Sequence, residues 1–289
     1  MSDLLQLIFS GLSIGAVYAL IAVGFVAIFT VSEVINLAQG EFAALAGLVA
    51  ISAVGSGMPL PVALVVAIAT VTVVAVVMER VTVAPVKRLT TLTSIILTLG
   101  VSTVLKALML LIWGPEGKGL TPFPGGDLLV FGVSIRAQEL WILGIAAVVA
   151  AAVWWFYERT IVGKALRACS EQPIAARLVG ISPKLATMLA FGIAGLVGAI
   201  AGVIASPVYF SSWDSGLSLG LKGFVAATLG GLVSIRGALL GGVLLGVLES
   251  LVAGYVDTGL RDAVAFVLLI VVLVVRPAGV FGRHAEARV

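Results

Sequence analysis

The segment ERTIVGKALRACSEQPIAARLVGISPK, residues 158–184, is a long polar interruption in a chain that is otherwise apolar enough to lie in lipid. It contains two glutamates and an excess of basic residues, namely Arg159, Lys164, Arg167, Arg177 and Lys184. A charged segment of this length between two membrane spans must lie in water, and its excess of Lys and Arg is typical of cytoplasmic loops. Docking of a cytoplasmic partner is the leading explanation for so long a loop.

The composition on either side of this segment predicts a membrane protein. Of the 289 residues, 61% are hydrophobic and 11% are charged, whereas soluble domains carry about 25% charged residues. Runs such as Leu4–Thr30 and Ala137–Tyr157 are long enough to cross a hydrocarbon layer of about 30 Å as helices. They lack the alternation of apolar and polar residues that marks transmembrane barrels.

We therefore predict an all-α, polytopic transmembrane helical bundle with about 8–9 membrane segments, forming a single domain over residues 1–289. The N-terminal MSDLLQLIF has no basic residue before its apolar run, unlike a signal peptide, so the first helix is expected to stay in the protein. The predicted helices cover 4–30, 38–56, 60–78, 92–113, 138–157, 185–206, 222–235, 237–254 and 261–276.

The basic residues lie mostly on one side of the predicted bundle. Eleven of the seventeen Lys and Arg fall in the loop 79–91, the segment 158–184 and the C-terminal tail. Because cytoplasmic loops are enriched in Lys and Arg, the C-terminus is predicted to be cytoplasmic and the N-terminus, by parity, outside. The loop and tail contribute Arg80, Lys87, Arg88, Arg276, Arg283 and Arg288, whereas the other side has Lys118, Arg136, Lys222 and Arg261.

The same parity predicts a hairpin over residues 222–254. One long helix there would place the basic tail outside, whereas two arms that turn at residues 234–237 place it inside. The arms are short, so the hairpin is predicted to be broken or re-entrant, which is tolerated only where protein or a cavity surrounds the backbone.

Glycine pairs four residues apart predict close helix contacts. Small residues at this spacing let helix backbones approach in lipid, where apolar burial alone does not drive association. The pairs are Gly11 and Gly15, Gly198 and Gly202, and Gly242 and Gly246.

No catalytic or cofactor-binding set is recognisable. His284 is the only histidine, which excludes His-based triads and His-ligated metals. The lone Cys169 excludes an internal disulfide. Gly114–Lys118 lacks the spacing of a phosphate-binding loop, so any ATP chemistry would belong to another chain. The pI near 9.2 is attributed to basic loops rather than to nucleic-acid binding.

Several segments, in order along the chain, resemble one known family. Val34–Phe42, VINLAQGEF, resembles the I-N-x-A-[HQ]-G-E segment of branched-chain amino acid ABC transporter permeases. The resemblance runs from about residue 10 to 282 and is to the shorter, first type of the two paired permeases. Arg236 departs from the proline often found there, and the outer loop 114–136 is short for the family. Further matching segments are Gly163–Ala168 with Glu171, Ala175–Ile181, Ala226–Gly231, Gly237–Gly242 with Glu249, and Arg276–Gly282.

The resemblance implies an importer of the bacterial inner membrane. It pairs the chain with a second homologous permease, two cytoplasmic ATPases and a periplasmic solute-binding protein, and ATP is used by the ATPases. Within the segment 158–184 it implies a coupling helix that contacts an ATPase, with the candidate residues Gly163, Arg167, Glu171, Ala175, Ala176 and Gly180. A loop that only fixes the orientation is the alternative.

Residues of the segment Val34–Phe42 and of the C-terminal hairpin are candidates for the translocation path. Asn36 can instead cap the second helix, with Glu41 at the positive end of the helix dipole. As path residues, Gln39 and Glu41 would be functional groups within the membrane. The path candidates are Asn36, Gln39, Glu41, Gly230 and Gly231.

Three further groups have open alternatives. Lys106 either snorkels to the membrane interface or has a role in the pathway or in an interhelical ion pair. Glu249 has Lys106 or Arg261 as a candidate partner. The outer segment 207–219 is a candidate docking surface for a binding protein, through Tyr209, Trp213 and Asp214.

The predicted function is thus the membrane subunit of an ATP-driven importer for branched-chain or related apolar amino acids. A permease for another small solute, such as urea, another amino acid or a pentose, is the first alternative. A secondary transporter or channel is a further alternative, but it would need its own coupling-ion site.

Overall fold

A computed structural model describes residues 2–86, 90–130, 133–276 and 279, and it confirms an all-helical bundle. A two-stranded antiparallel hairpin, β1 (Leu128–Val130) with β2 (Val133–Ile135), lies in the loop before the fifth helix. The helices are α1 (Ser2–Ser32), α2 (Gln39–Gly55), α3 (Leu60–Met78), α4 (Thr91–Trp113), α5 (Ala137–Arg159), α6 (Ile161–Glu171), α7 (Pro173–Leu178), α8 (Pro183–Ala205), α9 (Ser215–Gly230), α10 (Ile235–Tyr255) and α11 (Arg261–Val275).

Seven stretches of the described residues are long and apolar enough to cross a membrane: α1, α3 with its extension to Val83, α4, α5, α8, α10, and α11 together with the 3₁₀ turn Thr258–Leu260 before it. The helices α2 and α9, with 17 and 16 residues, are not among these seven stretches. The helices α2 and α9 pack against each other. In addition, α2 packs on α1 and α8, and α9 packs on α1 and α10, so both are enclosed by protein.

Short polar side chains define where several helices begin. The hydroxyl of Thr160 accepts a hydrogen bond from the backbone N–H of Gly163 at 3.0 Å and caps α6. Ser234 caps α10 in the same way through the N–H of Gly237, at 3.1 Å. These caps satisfy backbone donors that a helix start leaves free. Pro173 is in the first turn of α7, where a backbone N–H would have no partner within the helix, so the lack of an N–H in proline loses no hydrogen bond.

The centre of the bundle is α1, which packs chiefly on α10 and α8. Its Gly11 and Gly15 lie directly against Gly246 and Gly242 of α10. A Cβ added at Gly15 would lie 2.8 Å from the carbonyl oxygen of Gly242, a separation that real Cβ atoms essentially never show. The two glycine pairs recognised in the sequence therefore form the two halves of one helix crossing.

The third glycine pair lies in the contact between α8 and α2. Gly202 packs on the backbone of Ala43, and Gly198 lies against Gln39 and Phe42. Close backbone approach thus holds the short helix α2 against α8, as small residues do between membrane helices.

The bundle has two distinct ends. The basic-loop end carries α6, α7 and the turn at residues 231–234 between α9 and α10. The opposite end carries the segment 206–214, where the N–H of Lys118 donates to the carbonyl of Ser211 at 2.9 Å. The helix α8 connects the two ends.

The predicted boundaries of the C-terminal hairpin are wrong by several residues. The first arm was predicted at 222–235, but α9 covers Ser215–Gly230 and the turn lies at 231–234. The glycines Gly216 and Gly220 explain the earlier start, since both pack on α2 and the contact favours a helix over a loop. Gly231 ends α9 with φ +87°, in the left-handed region.

The loop predicted at 79–91 is shorter than expected. The helix α3 continues through a π-helical turn, Glu79–Val83, so Arg80 lies on a helix rather than in a loop. Lys87 and Arg88 lie outside the described residues, as do Arg283, His284 and Arg288 of the tail.

Candidate functional site

The start of α2 is a buried polar site inside the bundle. Gln39 and Glu41 are fully buried, and the Nε2 of Gln39 donates to the carbonyl of Ala194 on α8 at 2.9 Å. The Oε1 of Glu41 accepts from the hydroxyl of Ser102 at 2.9 Å and lies 3.8 Å from the Nζ of Lys106. A carboxylate at this position therefore has a hydroxyl and a cation, both from α4.

Asn36 shapes the turn before α2 but does not cap the helix. The capping residue of α2 is Ala38, which makes no side-chain cap, so the alternative in which Asn36 caps the helix is wrong. The Oδ1 of Asn36 accepts from the N–H of Ala38 at 3.2 Å, which stabilises the turn. The reversal from α1 begins at Glu33, which has φ 56°.

A polar stripe on α4 was not recognised in the sequence. Ser94, Thr98, Ser102 and Lys106 are spaced by four residues, so they share one helix face. That face meets the turn before α2, where the Oγ1 of Thr98 accepts from the N–H of Leu37 at 3.1 Å. Of the two alternatives for Lys106, the structure has the interhelical ion pair, with 20% of the side chain exposed.

A second buried charge network joins α1, α9, α10 and α11. Its centre is Glu249, which is fully buried. The Nζ of Lys222 lies 3.1 Å from its Oε1, the hydroxyl of Tyr18 donates to its Oε2 at 2.9 Å, and the Nε of Arg261 lies 3.5 Å from the same oxygen. Lys222 also pairs with Asp262 at 2.8 Å. Of the two partners predicted for Glu249, the structure has Arg261, whereas Lys106 pairs with Glu41.

The hairpin glycines lie at the turn of their own hairpin. A Cβ at Gly230 would meet the backbone of Gly237 and Ala238, so the end of α9 and the start of α10 are in direct backbone contact. Gly231 is buried and lies beside Gly279. Both glycines therefore pack between elements at the basic-loop end.

The candidate coupling residues divide into buried and exposed groups. Gly163 packs on the backbone of Phe156 and Tyr157 at the end of α5. Arg167 donates to the carbonyl of Tyr157 at 3.1 Å and lies 3.2 Å from Glu158, which fixes α6 on α5. Ala176 is buried, whereas Glu171, Ala175 and Gly180 are exposed, and Gly180 has φ +86°.

An apolar face on α7 points away from the bundle. Ile174, Leu178 and Val179 are 77%, 84% and 75% exposed. By contrast, Cys169 on the preceding helix α6 is only 1% exposed. Burial raises the pKa of its thiol, and the nearby charge of Arg177 opposes that rise in part.

The three candidate docking residues lie at the opposite end and have different surroundings. Trp213 packs on the small apolar cluster of Ala44, Leu48 and Met109. Asp214 is exposed and accepts from the hydroxyl of Ser212 at 2.6 Å. Tyr209 is half-buried and faces Arg261; burial raises the pKa of its hydroxyl, and Arg261 opposes the shift.

Comparison with known proteins gives one consistent family. The family model for the branched-chain amino acid transport system permease component matches residues 7–273. The permease protein LivH of a high-affinity branched-chain amino acid transport system, from Escherichia coli strain K12, is 33% identical over 99% of this chain and 97% of its own. The corresponding permease BraD from Pseudomonas aeruginosa is 33% identical over 99% of this chain and 98% of its own.

A more distant relative has another solute in its name. The autoinducer 2 import system permease protein LsrC from Yersinia pestis is 30% identical over 63% of this chain and 53% of its own. The family match and the near full-length similarity to LivH and BraD agree with the order of motifs in the sequence. The chain therefore belongs to the family of branched-chain amino acid transport system permease components.

Proposed function

We propose that this chain is the permease subunit of an ATP-driven importer that carries branched-chain or related apolar amino acids across a bacterial inner membrane. It acts beside a second homologous permease, two cytoplasmic ATPases and a periplasmic solute-binding protein. The chain itself binds no nucleotide, and its outward helix faces contact membrane lipid. The basic-loop end and the C-terminus are cytoplasmic, and the N-terminus lies outside.

The observation that carries this proposal is the apolar face of α7. Ile174, Leu178 and Val179 are exposed at the end of the bundle that the positive charge assigns to the cytoplasm. Exposed apolar side chains beyond the membrane spans are typical of a protein interface. An ATPase that covers this face can move α6 and α7 as its nucleotide sites open and close.

The unit formed by α6 and α7 contacts the two membrane helices that flank it, α5 and α8. Gly163 lets α6 pack on the backbone of α5, and Arg167 ties it to Glu158 and Tyr157. The α6–α7 unit is therefore attached to α5 at one side and continues into α8 at the other. Displacement of α7 would be passed to two membrane helices.

A double substitution on α7 tests the coupling role. We expect Ile174→Asp with Leu178→Asp to reduce the amount of ATPase that copurifies with the permease by tenfold or more. Each apolar side chain buried at an interface contributes about 1.5–3 kcal/mol, and 1.4 kcal/mol corresponds to a factor of ten. The measurement is copurified ATPase and leucine uptake by cells at matched permease levels.

Two controls separate coupling from folding. The variant Leu178→Met keeps an apolar side chain and is expected to retain both partner binding and uptake. Insertion is checked by the amount of permease in the membrane fraction. Normal ATPase copurification and normal uptake in the double aspartate variant would falsify the coupling role of α7.

A permease for another solute is the second candidate, because the relative LsrC is named for the import of autoinducer 2. The substrate of such an importer is largely selected by its binding protein. Calorimetric titration of the partner binding protein with leucine, isoleucine, valine, urea and a pentose distinguishes the candidates. Binding of the branched-chain amino acids alone supports the first proposal, and binding of urea or the pentose alone supports the second.

A further inference from the structure

The ion pair between Lys222 and Asp262 lines two neighbouring cavities at the end of the bundle that carries the segment 206–214. One cavity, of about 350 Å³, is lined by Tyr18, Tyr209 and Arg261 as well as by the pair. The other, of about 270 Å³, is lined by apolar residues of α9 and α11 and also by Asp214 and Ser218; the apolar residues are Leu217, Leu221, Val225, Ala265 and Phe266. A molecule at the pair would thus have polar and charged groups on one side and a mainly apolar surface on the other.

The pair can open without leaving a buried charge alone. The side chain of Asp262 is 73% exposed, so solvent can replace Lys222 as its partner. Lys222 is only 10% exposed, but it keeps Glu249 at 3.1 Å when Asp262 moves away. The buried carboxylate therefore holds the cation in place, and the exposed carboxylate is the member of the network that can exchange partners.

Lys222 and Asp262 present one cation and one anion 2.8 Å apart. This pair of charges is complementary to the carboxylate and ammonium of a free amino acid. An α-carboxylate can take the place of Asp262 beside Lys222, while an α-ammonium pairs with Asp262. Such a ligand brings no net charge into the network. Charge-assisted hydrogen bonds of this kind are about twice as strong as neutral ones.

We propose that Lys222 and Asp262 bind the zwitterionic head group of an apolar amino acid, whose side chain lies against Leu221 and Phe266. This inference rests on the proposed function and adds the place where the chain holds its substrate. The apolar cavity, of about 270 Å³, is just below the roughly 300–1,000 Å³ of typical ligand sites, so it fits an aliphatic side chain better than a lipid chain. The segment that carries Tyr209 and Asp214 borders both cavities, so a substrate released there reaches the pair directly.

Three ligands and one isosteric variant test this assignment. Binding is measured with the assembled importer in nanodiscs, without its binding protein, using L-leucine, 4-methylpentanoate, which lacks the ammonium, and leucinol, which lacks the carboxylate. We expect Asp262→Asn to weaken leucine binding about tenfold to hundredfold, the value of one lost charge-assisted bond. Binding of 4-methylpentanoate should be unchanged or tighter, because this ligand has no ammonium to lose its partner and its carboxylate no longer competes with Asp262 for Lys222.

Matched variants exclude a general loss of structure. Asp262→Glu is expected to recover leucine binding, and Asp127→Asn, an exposed acid of the outer loop, should leave every ligand unaffected. Equal weakening of leucine and 4-methylpentanoate, or no effect of Asp262→Asn on leucine, would overturn the assignment. The assignment would also be overturned if Asp262→Asn lost copurified phosphatidylethanolamine while its leucine binding was unchanged. The pair would then bind a lipid head group.

Uptake by the unmodified importer separates this inference from the proposed function. If the unmodified importer takes up leucine and Asp262→Asn takes it up with the same KM and kcat, the binding site is wrong and the function stands. If the unmodified importer transports no branched-chain amino acid, the proposed function is wrong, and the site loses its ligand class with it.

Discussion

Adding one methyl group at Gly202 should separate two helices of the bundle. A Cβ there would lie 2.6 Å from the Cα of Ala43 on α2, about 0.8 Å short of the 3.4 Å at which ordinary contact begins, and nearer still to the carbonyl oxygen of Ala43. The obstacle is backbone, so α2 and α8 must move apart. Overpacking of this kind costs about 3 kcal/mol at the upper end of its usual range, against about 1 kcal/mol gained by alanine over glycine in a helix.

The same substitution at Gly192 is the matched control. It lies on the same helix, and its added Cβ would be 3.4 Å from a methyl group of Val76, an ordinary contact. We expect Gly202→Ala to lose about 2 kcal/mol of unfolding free energy and Gly192→Ala to gain up to about 1 kcal/mol. Unfolding in lipid-containing micelles with increasing SDS measures both. If the two variants unfold at the same SDS fraction, the close approach of α2 and α8 does not determine their stability.

Three further outcomes are expected. Ser212→Cys should react with an impermeant maleimide in intact cells, whereas Leu178→Cys should react only in inside-out vesicles from cells that lack the ATPases; the reverse pattern would invert the proposed orientation. Native Cys169 should stay unlabelled on either side near neutral pH and react faster as the pH rises, since its thiol is buried and its pKa is raised; fast alkylation at pH 7 without denaturant would contradict this. Lys106→Met should lower the free energy of unfolding by about 3 kcal/mol, because it leaves the buried Glu41 without its cation. Adding Glu41→Gln should recover part of that loss. If the changes in unfolding free energy of the two single variants simply add in the double variant, the two residues are not coupled.

The helical architecture follows from composition and apolar run length, because lipid leaves the backbone no other way to satisfy its hydrogen bonds along each span. The glycine pairs also predicted close contacts correctly. Their partners could not be predicted, since four-residue spacing marks a helix face without saying which helix it meets. Gly11 and Gly15 find Gly242 and Gly246 only through the tertiary fold.

The start of α9 shows where local sequence is insufficient. The stretch Ser215–Gly220 has two glycines and two serines and is typical of a loop, yet it is helical because Gly216 and Gly220 pack on α2. Tertiary contact outweighs the weak local preference.

The buried charges were recognised as individual residues rather than as networks. The four-residue spacing of Ser94, Thr98, Ser102 and Lys106 was a readable signal, and it would have pointed to a polar contact for α4. The network around Glu249 gave no such signal, because its members lie on four different helices. Whether Gln39 and Glu41 line the translocation path stays a prediction.

The crossing of α1 with α10 sets a condition on how the protein is made. Tyr18 and Glu249 are 231 residues apart in the chain. At synthesis rates of about 5–20 residues per second, α1 must wait roughly 10–45 s in the lipid before its partner leaves the ribosome. During that interval its glycine face and its tyrosine hydroxyl are open to other helices, so an insertion factor that shields α1 would reduce mispairing. Ribosome stalling before α10 should expose the same face to membrane proteases.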